Sequence, residues 1–372
     1  MKKSGGQRNS SIELLKIIAL ILIAVFHVTM TVNTTHNTYY EQLPYSYDLY
    51  HAPDGFQKIV ILSFRHLGMM GNHIFMVCAA WFLCRQNHTK ADKVIGIYFD
   101  AALISVLCLL AVSQTFPYVT LPAETVRECF FPVMYRHNWF ITCYIVVYLI
   151  HGGINHILEH LNREQHAAVM VIMFAVYCLL GSYEPRYYYS EVLVFITVYM
   201  LVSYIRYYRS TSFRRGCILV LTGIIGLAIL TGMNYLSHPL SEKTAGLLFW
   251  AKISNPFSVI AALGFFEIAN SFQFHSRGIN KLSSLSLVFY LLHENLLIRE
   301  ILRPVLWGDF SNAFADIPLV GRILSFSLCY SIWFFVAAWL YQTVTGRINR
   351  SVSGTVRKVG SKVWKSFYER FL

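Results

Sequence analysis

The chain has 372 residues, of which 56% are hydrophobic and only 13% charged, with a mean hydropathy of +0.48. Soluble domains carry about 25% charged residues, so this composition excludes an ordinary water-solvated globule and asks for an apolar solvent. The net charge of +12 would suit nucleic acid, but the basic residues sit at alternate connections between apolar runs and at the C-terminal end. That is the pattern of membrane orientation, and no nucleic-acid partner is expected.

Apolar runs of about twenty residues, the length that crosses a bilayer core, predict an all-α polytopic membrane protein of about ten spans. They cover 12–32, 67–84, 94–114, 138–158, 167–182, 190–207, 216–234, 247–269, 282–298 and 320–344. No small-residue cleavage site follows Val32, so the first run reads as a retained helix and not as a removed signal. Most of the 31 basic residues fall on one set of alternate loops and on the tail, which puts both termini in the cytoplasm. Residues 1–346 form the membrane domain, and 347–372 a basic tail whose Val352, Val356, Val359, Val363, Trp364, Phe367 and Phe371 suit the anionic surface of the inner leaflet. Of the eight cysteines, seven fall inside predicted helices and Cys129 in an outer loop, which argues against a disulfide framework. There is no internal repeat, low-complexity tract or Gly-rich phosphate loop.

Ionisable residues inside a bilayer are costly and therefore informative. The first helix carries Glu13, Lys16 and His27. Eleven residues separate Lys16 from His27, a net rotation of roughly 20° and a rise of about 16 Å, so both project from one face. A neutral imidazole at the depth of His27 can take a proton from an alcohol. The plainer alternative is a snorkelling lysine and a histidine bonded between helices.

The second helix is entered by Arg65 and His66 and contains His73, with small Ala79 and Ala80 allowing close helix approach. Outer stretches 33–57, 115–137 and 299–319, the last holding Arg303, Pro304, Trp307 and Asp309, offer polar and aromatic surfaces that suit a sugar or an interfacial belt. The fourth span opens on Arg136, His137, Asn138 and Trp139 and contains Tyr144 and Tyr148. His151, His156, His160 and His166 lack the cysteine or carboxylate company of a metal site, and no metal is expected. In the ninth helix Ser283, Ser286, Tyr290 and His293 share a stripe, with Glu294, Asn295 and Arg299 close by. So many polar groups in one membrane helix are hard to explain by packing alone.

Four segments in order resemble the membrane acyltransferase-3 family, bacterial enzymes that O-acylate cell-surface glycans. They are Asn9 through His27, Phe75 through Leu83, Trp139-Phe140 with Tyr144, and Ser286 through Arg299, the last holding the distinctive His293-Glu294-Asn295. The resemblance covers essentially the whole chain. It implies a ten-helix bundle in the bacterial plasma membrane that takes an acyl group, most often acetyl, from cytoplasmic acyl-CoA and delivers it to a glycan hydroxyl outside. His27 would be the catalytic base or an acyl carrier, with Glu13 orienting Lys16. Lys16, Lys90 and Lys93 would hold the CoA phosphates. Arg65, Arg136, Trp139, Tyr290, His293, Glu294, Asn295 and Arg299 would serve the oxyanion or the glycan. Two departures stand out: Lys16 lies where the family has arginine, losing the planar fork, and Ala79-Ala80 replaces Ser-Gly. A homo-oligomer is compatible with this reading. The rival is a transporter or flippase of a lipid-linked sugar, which would show broken helices in two related halves; Pro256 in the eighth span has no matching partner.

Overall fold

The computed structural model describes residues 8–32, 39–44, 56–86, 88–135, 137–183, 190–237 and 252–371. The chain is an all-α polytopic bundle, with no strand among the described residues. Among the described residues, eight helices are long and apolar enough to cross a membrane. They are α1 (Ser10–Val32), α2 (Phe56–Leu83), α3 (Ala91–Thr115), α5 (Trp139–His160), α6 (Arg163–Leu180), α7 (Glu191–Tyr208), α8 (Phe213–Ser237) and α13 (Leu319–Phe371), with a short α4 (Ala123–Phe130) between α3 and α5. The remaining helices are shorter: α9 (Pro256–Ser271), α10 (Arg277–Ser283), α11 (Ser286–His293) and α12 (Arg303–Ala313). The end of the bundle at which α1 begins is called the near face, and the opposite end the far face.

Four elements depart from the sequence-based expectation. The second span starts well before residue 67, at Phe56, so Arg65 and His66 lie inside the helix and not at its entry. The eighth span begins as a helix only at Pro256, where the Asn255 side chain accepts from the amides of Phe257 and Ser258 at 2.9 and 3.1 Å; the first residues of the predicted run lie outside the described residues. The ninth span is not one helix. It breaks between α10 and α11, and again after His293, before a π turn at Ile298–Leu302 leads into α12. The last span continues without a break to Phe371, so no boundary separates the tail from the membrane helix.

Outward faces are apolar, as a lipid solvent requires. Leu324, Leu328, Ile332, Val336 and Leu340 recur at four-residue spacing on α13 and are all exposed. Inside, α1 and α2 pack closely at Gly68 and Gly71. A Cβ on Gly68 would lie 1.9 Å from the Phe26 Cβ, and one on Gly71 would lie 2.6 Å from the Ala19 carbonyl oxygen. Absence of a side chain lets the two backbones approach, the device expected at Ala79-Ala80. At the near face the Ser10 hydroxyl donates to Asn280 Oδ1 at 2.8 Å and accepts from the Ser276 amide at 2.8 Å, tying the start of α1 to α10. Buried Glu267 pairs with Arg215 at 2.7 Å and joins α9 to α8. All eight cysteines are free, and Cys129 is buried.

Candidate functional site

The ninth-span breaks and α1 together build a buried polar cluster. His27 Nδ1 lies 2.9 Å from Glu294 Oε1 and 3.2 Å from His293 Nε2. His293 Nδ1 lies 3.1 Å from the Phe289 carbonyl, which can only accept, so that nitrogen carries the hydrogen and Nε2 is the lone pair. His27 Nδ1 therefore faces two acceptors and carries its own hydrogen. In the neutral ring the basic nitrogen is then Nε2, as in a histidine oriented by a carboxylate.

Glu294 is braced in turn. Arg303, only 2% exposed, donates from Nη1 to Glu294 Oε1 at 3.0 Å and from Nε to the Thr31 hydroxyl at 2.9 Å. Thr31 donates to the His27 carbonyl at 3.1 Å, and the Tyr330 hydroxyl donates to the His293 carbonyl at 3.3 Å. A buried charge without a partner costs several kcal/mol, about 3–5 when one member of a pair is removed, so Arg303 and Glu294 each make the other tolerable. Asn295 is spent on the fold: it donates to the Ser105 hydroxyl at 3.3 Å and its carbonyl accepts from the Leu297 amide at 3.1 Å.

His27, His293 and Glu294 present ligand atoms within 4.8 Å of one another, a set that could in principle hold a transition metal. Arg303 argues against that use, because a permanent cation already sits on the oxygen a metal ion would need. The pattern is that of an imidazole oriented by a carboxylate that is itself braced by a guanidinium.

Below the cluster, a cavity of about 280 Å³ opens between Lys16, Leu20 and Ile23 of α1, Phe75 and Cys78 of α2, Lys93, Phe140, Tyr144, Ser286 and Tyr290. Its α1 lining is the stripe that continues to His27 one turn later. Lys16 pairs with Glu13 at 2.7 Å at the near end. Lys93 donates to the Tyr144 hydroxyl at 2.5 Å and lies 4.5 Å from the Tyr148 ring centre. Most of the wall is apolar and aromatic, with Phe140 and Tyr290 rings 5.7 Å apart.

The residues singled out in the sequence thus divide. His27, His293 and Glu294 meet in one cluster, and Lys16, Lys93 and Tyr290 line the cavity. Glu13 sits with Lys16 at the near end, fourteen residues and about 21 Å along α1 from His27, so it can orient Lys16 but not the imidazole. Lys90 is exposed at the start of α3, its amide bonded to the Tyr148 hydroxyl at 3.1 Å, and it does not line the cavity. Trp139 packs on Phe140 outside the cavity lining, Arg65 is half-buried in α2, and Arg136 lies outside the described residues. Arg299 pairs with Glu300 at 2.7 Å on the far side. There His137 and Glu128 pair at 3.0 Å, and burial holds the His137 imidazole below its ordinary range against the pull of Glu128. Burial likewise pushes up the Tyr39 phenol, which is bonded to Thr125.

Sequence reasoning missed Arg303, Thr31 and Tyr330. The sequence places Arg303 in an outer stretch between the ninth and tenth apolar runs, and its only local signal is an arginine preceding a proline. The four histidines near the end of α5 and start of α6 are structural where bonded: His151, His160 and His166 each pair with a backbone carbonyl, at 2.5, 2.8 and 3.1 Å. Compared with known proteins, the chain matches no family model, no curated sequence and no solved structure.

Proposed function

We propose that the chain is an O-acyltransferase of the bacterial plasma membrane. It would move an acyl group, acetyl by default, from cytoplasmic acyl-CoA to a hydroxyl of a cell-surface glycan. The observation that carries the reading is the coaxial arrangement of a cationic mouth, an apolar cavity and an oriented imidazole along one stripe of α1. Lys16 and Lys93 suit the anionic end of the donor. Ile23 lies about 10 Å above Lys16 along the helix, and His27 about 6 Å further, distances that a thin pantetheine arm spans. Apolar and aromatic walls exclude water, which would otherwise hydrolyse the thioester.

In this mechanism the acceptor hydroxyl gives its proton to His27 Nε2 as its oxygen bonds to the thioester carbonyl carbon. The tetrahedral centre collapses, the carbon–sulfur bond breaks, and the leaving thiolate takes the proton back from the imidazolium. Glu294 holds the Nδ1 hydrogen throughout, and Arg303 holds Glu294. An acyl-imidazole route uses the same nitrogen as nucleophile. Membranes carrying the protein are expected to transfer label from radiolabelled acetyl-CoA to glycan and to lose that transfer in His27→Ala with insertion unchanged. Transfer retained in that variant would end the assignment.

The broken ninth span is what the transporter reading asks for at its binding site. It lacks a second, related break with polar groups at depth among the described residues. Movement of a lipid-linked sugar without any acetyl-CoA turnover would select that reading.

A further inference from the structure

We infer that the lipid-facing groove between α10, the Leu285 turn that follows it, and α13 is a binding site for an anionic phospholipid. The groove has a volume of about 540 Å³ and is lined by Lys281, Leu282, Leu285, Ile332, Phe335 and Trp339, among others. It is separate from the central cavity: Leu285 faces the groove, whereas the next two residues, Ser286 and Leu287, line the cavity on the other side of the same wall.

Its layout along the membrane normal matches one lipid molecule. α13 runs antiparallel to α10 and α11, since Gln342 donates to the Ser284 carbonyl at 3.2 Å while Tyr330 reaches the His293 carbonyl. Trp339 therefore stands at the level of Lys281, near the face where α1 begins, and Ile332 stands about 10 Å deeper. The charged end of the groove is Lys281, exposed, with Arg277 one turn before it on α10. An indole suits the boundary between headgroup and chains. Past it the lining is aliphatic and aromatic, and Ile332 and Trp339 remain 56% and 46% exposed. A cationic rim, an interfacial tryptophan and an apolar trough, in that order, complement a phosphate headgroup carrying net negative charge and the first part of its acyl chain. Charge complementarity distinguishes this occupant from a zwitterionic lipid.

The measurement uses the purified full-length chain in detergent, titrated with phosphatidylglycerol or phosphatidylcholine, with retained lipid counted by native mass spectrometry. Wild type is expected to retain phosphatidylglycerol about fivefold better, the effect of a basic site near a headgroup. Lys281→Glu should abolish that preference, whereas Arg214→Glu, an equal charge change at an exposed residue on α8, should keep it. A Cβ on Gly278, which also lines the groove, would meet nothing closer than the Ser276 hydroxyl at 4.0 Å, so Gly278→Phe can fill the trough and should lower retention of both lipids. Equal retention of the two lipids by wild type would overturn the site. So would an equal loss in Arg214→Glu and Lys281→Glu, which would assign the preference to overall charge, or undiminished retention in a folded Gly278→Phe. If Gly278→Phe does not fold, the contrast between the two glutamate variants decides.

Discussion

The two ends of the α1 stripe are built on different principles. At the near end Lys16 finds its partner three residues away, in Glu13, and keeps 19% of its side chain exposed. At depth, His27 finds its partners 266 and 267 residues away, in His293 and Glu294, and behind them stands a guanidinium that is almost wholly buried. A partly wetted lysine can exchange one anion for another at small cost. A buried relay tolerates no such exchange, since each member is both a functional group and the counter-charge of its neighbour.

That contrast can be broken at its deep end first. His27→Ala should cut acyl transfer by about 10²- to 10⁴-fold, measured as label transferred to glycan, with the bundle still inserted. Next, Glu294→Gln should strand Arg303 and cost about 3–5 kcal/mol of stability, read by denaturant unfolding in detergent. Combining it with Arg303→Gln should recover part of that loss, and strictly additive losses would show that the 3.0 Å ion pair carries no coupling. Gly68→Ala tests the seam that fixes α1: the new methyl collides with Phe26, next to His27, and overpacking of this kind costs about 1–3 kcal/mol. The smallest effect belongs to the near end. Lys16→Ala should weaken acetyl-CoA binding about fivefold with maximal turnover kept, and Lys16→Arg should bind as well as the native residue. A Lys16→Ala enzyme with normal binding and lost turnover would move the lysine from the donor mouth into the chemistry.

What the sequence made legible follows from the range of the forces involved. Spans such as α1 and α3 are announced by their own apolar length, and the Lys16–His27 face by helical periodicity alone. The interruption of the ninth span has no such signal, because neither proline nor glycine occurs between Ser284 and Leu297. Its cause lies elsewhere. The Asn295 side chain captures the Leu297 amide and reaches Ser105, while Glu294 is drawn to His27 and to Arg303. The same holds for the close approach of α1 and α2: Ala79-Ala80 is the conspicuous small pair, and only the three-dimensional register shows that Gly68 and Gly71 also lie directly against α1. Arg303 was hidden by the opposite error, since a charged residue beside a proline reads as a loop until its counter-charge is found.

The Arg303–Glu294 pair also sets the electrical state of the relay. With one cation, one anion and two neutral imidazoles, the quartet sums to zero, so it rests in a low-dielectric interior without a compensating ion. A proton arriving on His27 would leave the quartet with one net positive charge, held against the Glu294 carboxylate 2.9 Å away in an interior that disfavours unmatched charge. Such a site is a poor place to store a proton and a good one to pass it through. In the proposed acyl transfer, uptake from the acceptor hydroxyl and release to the leaving thiolate would then fall within one cycle.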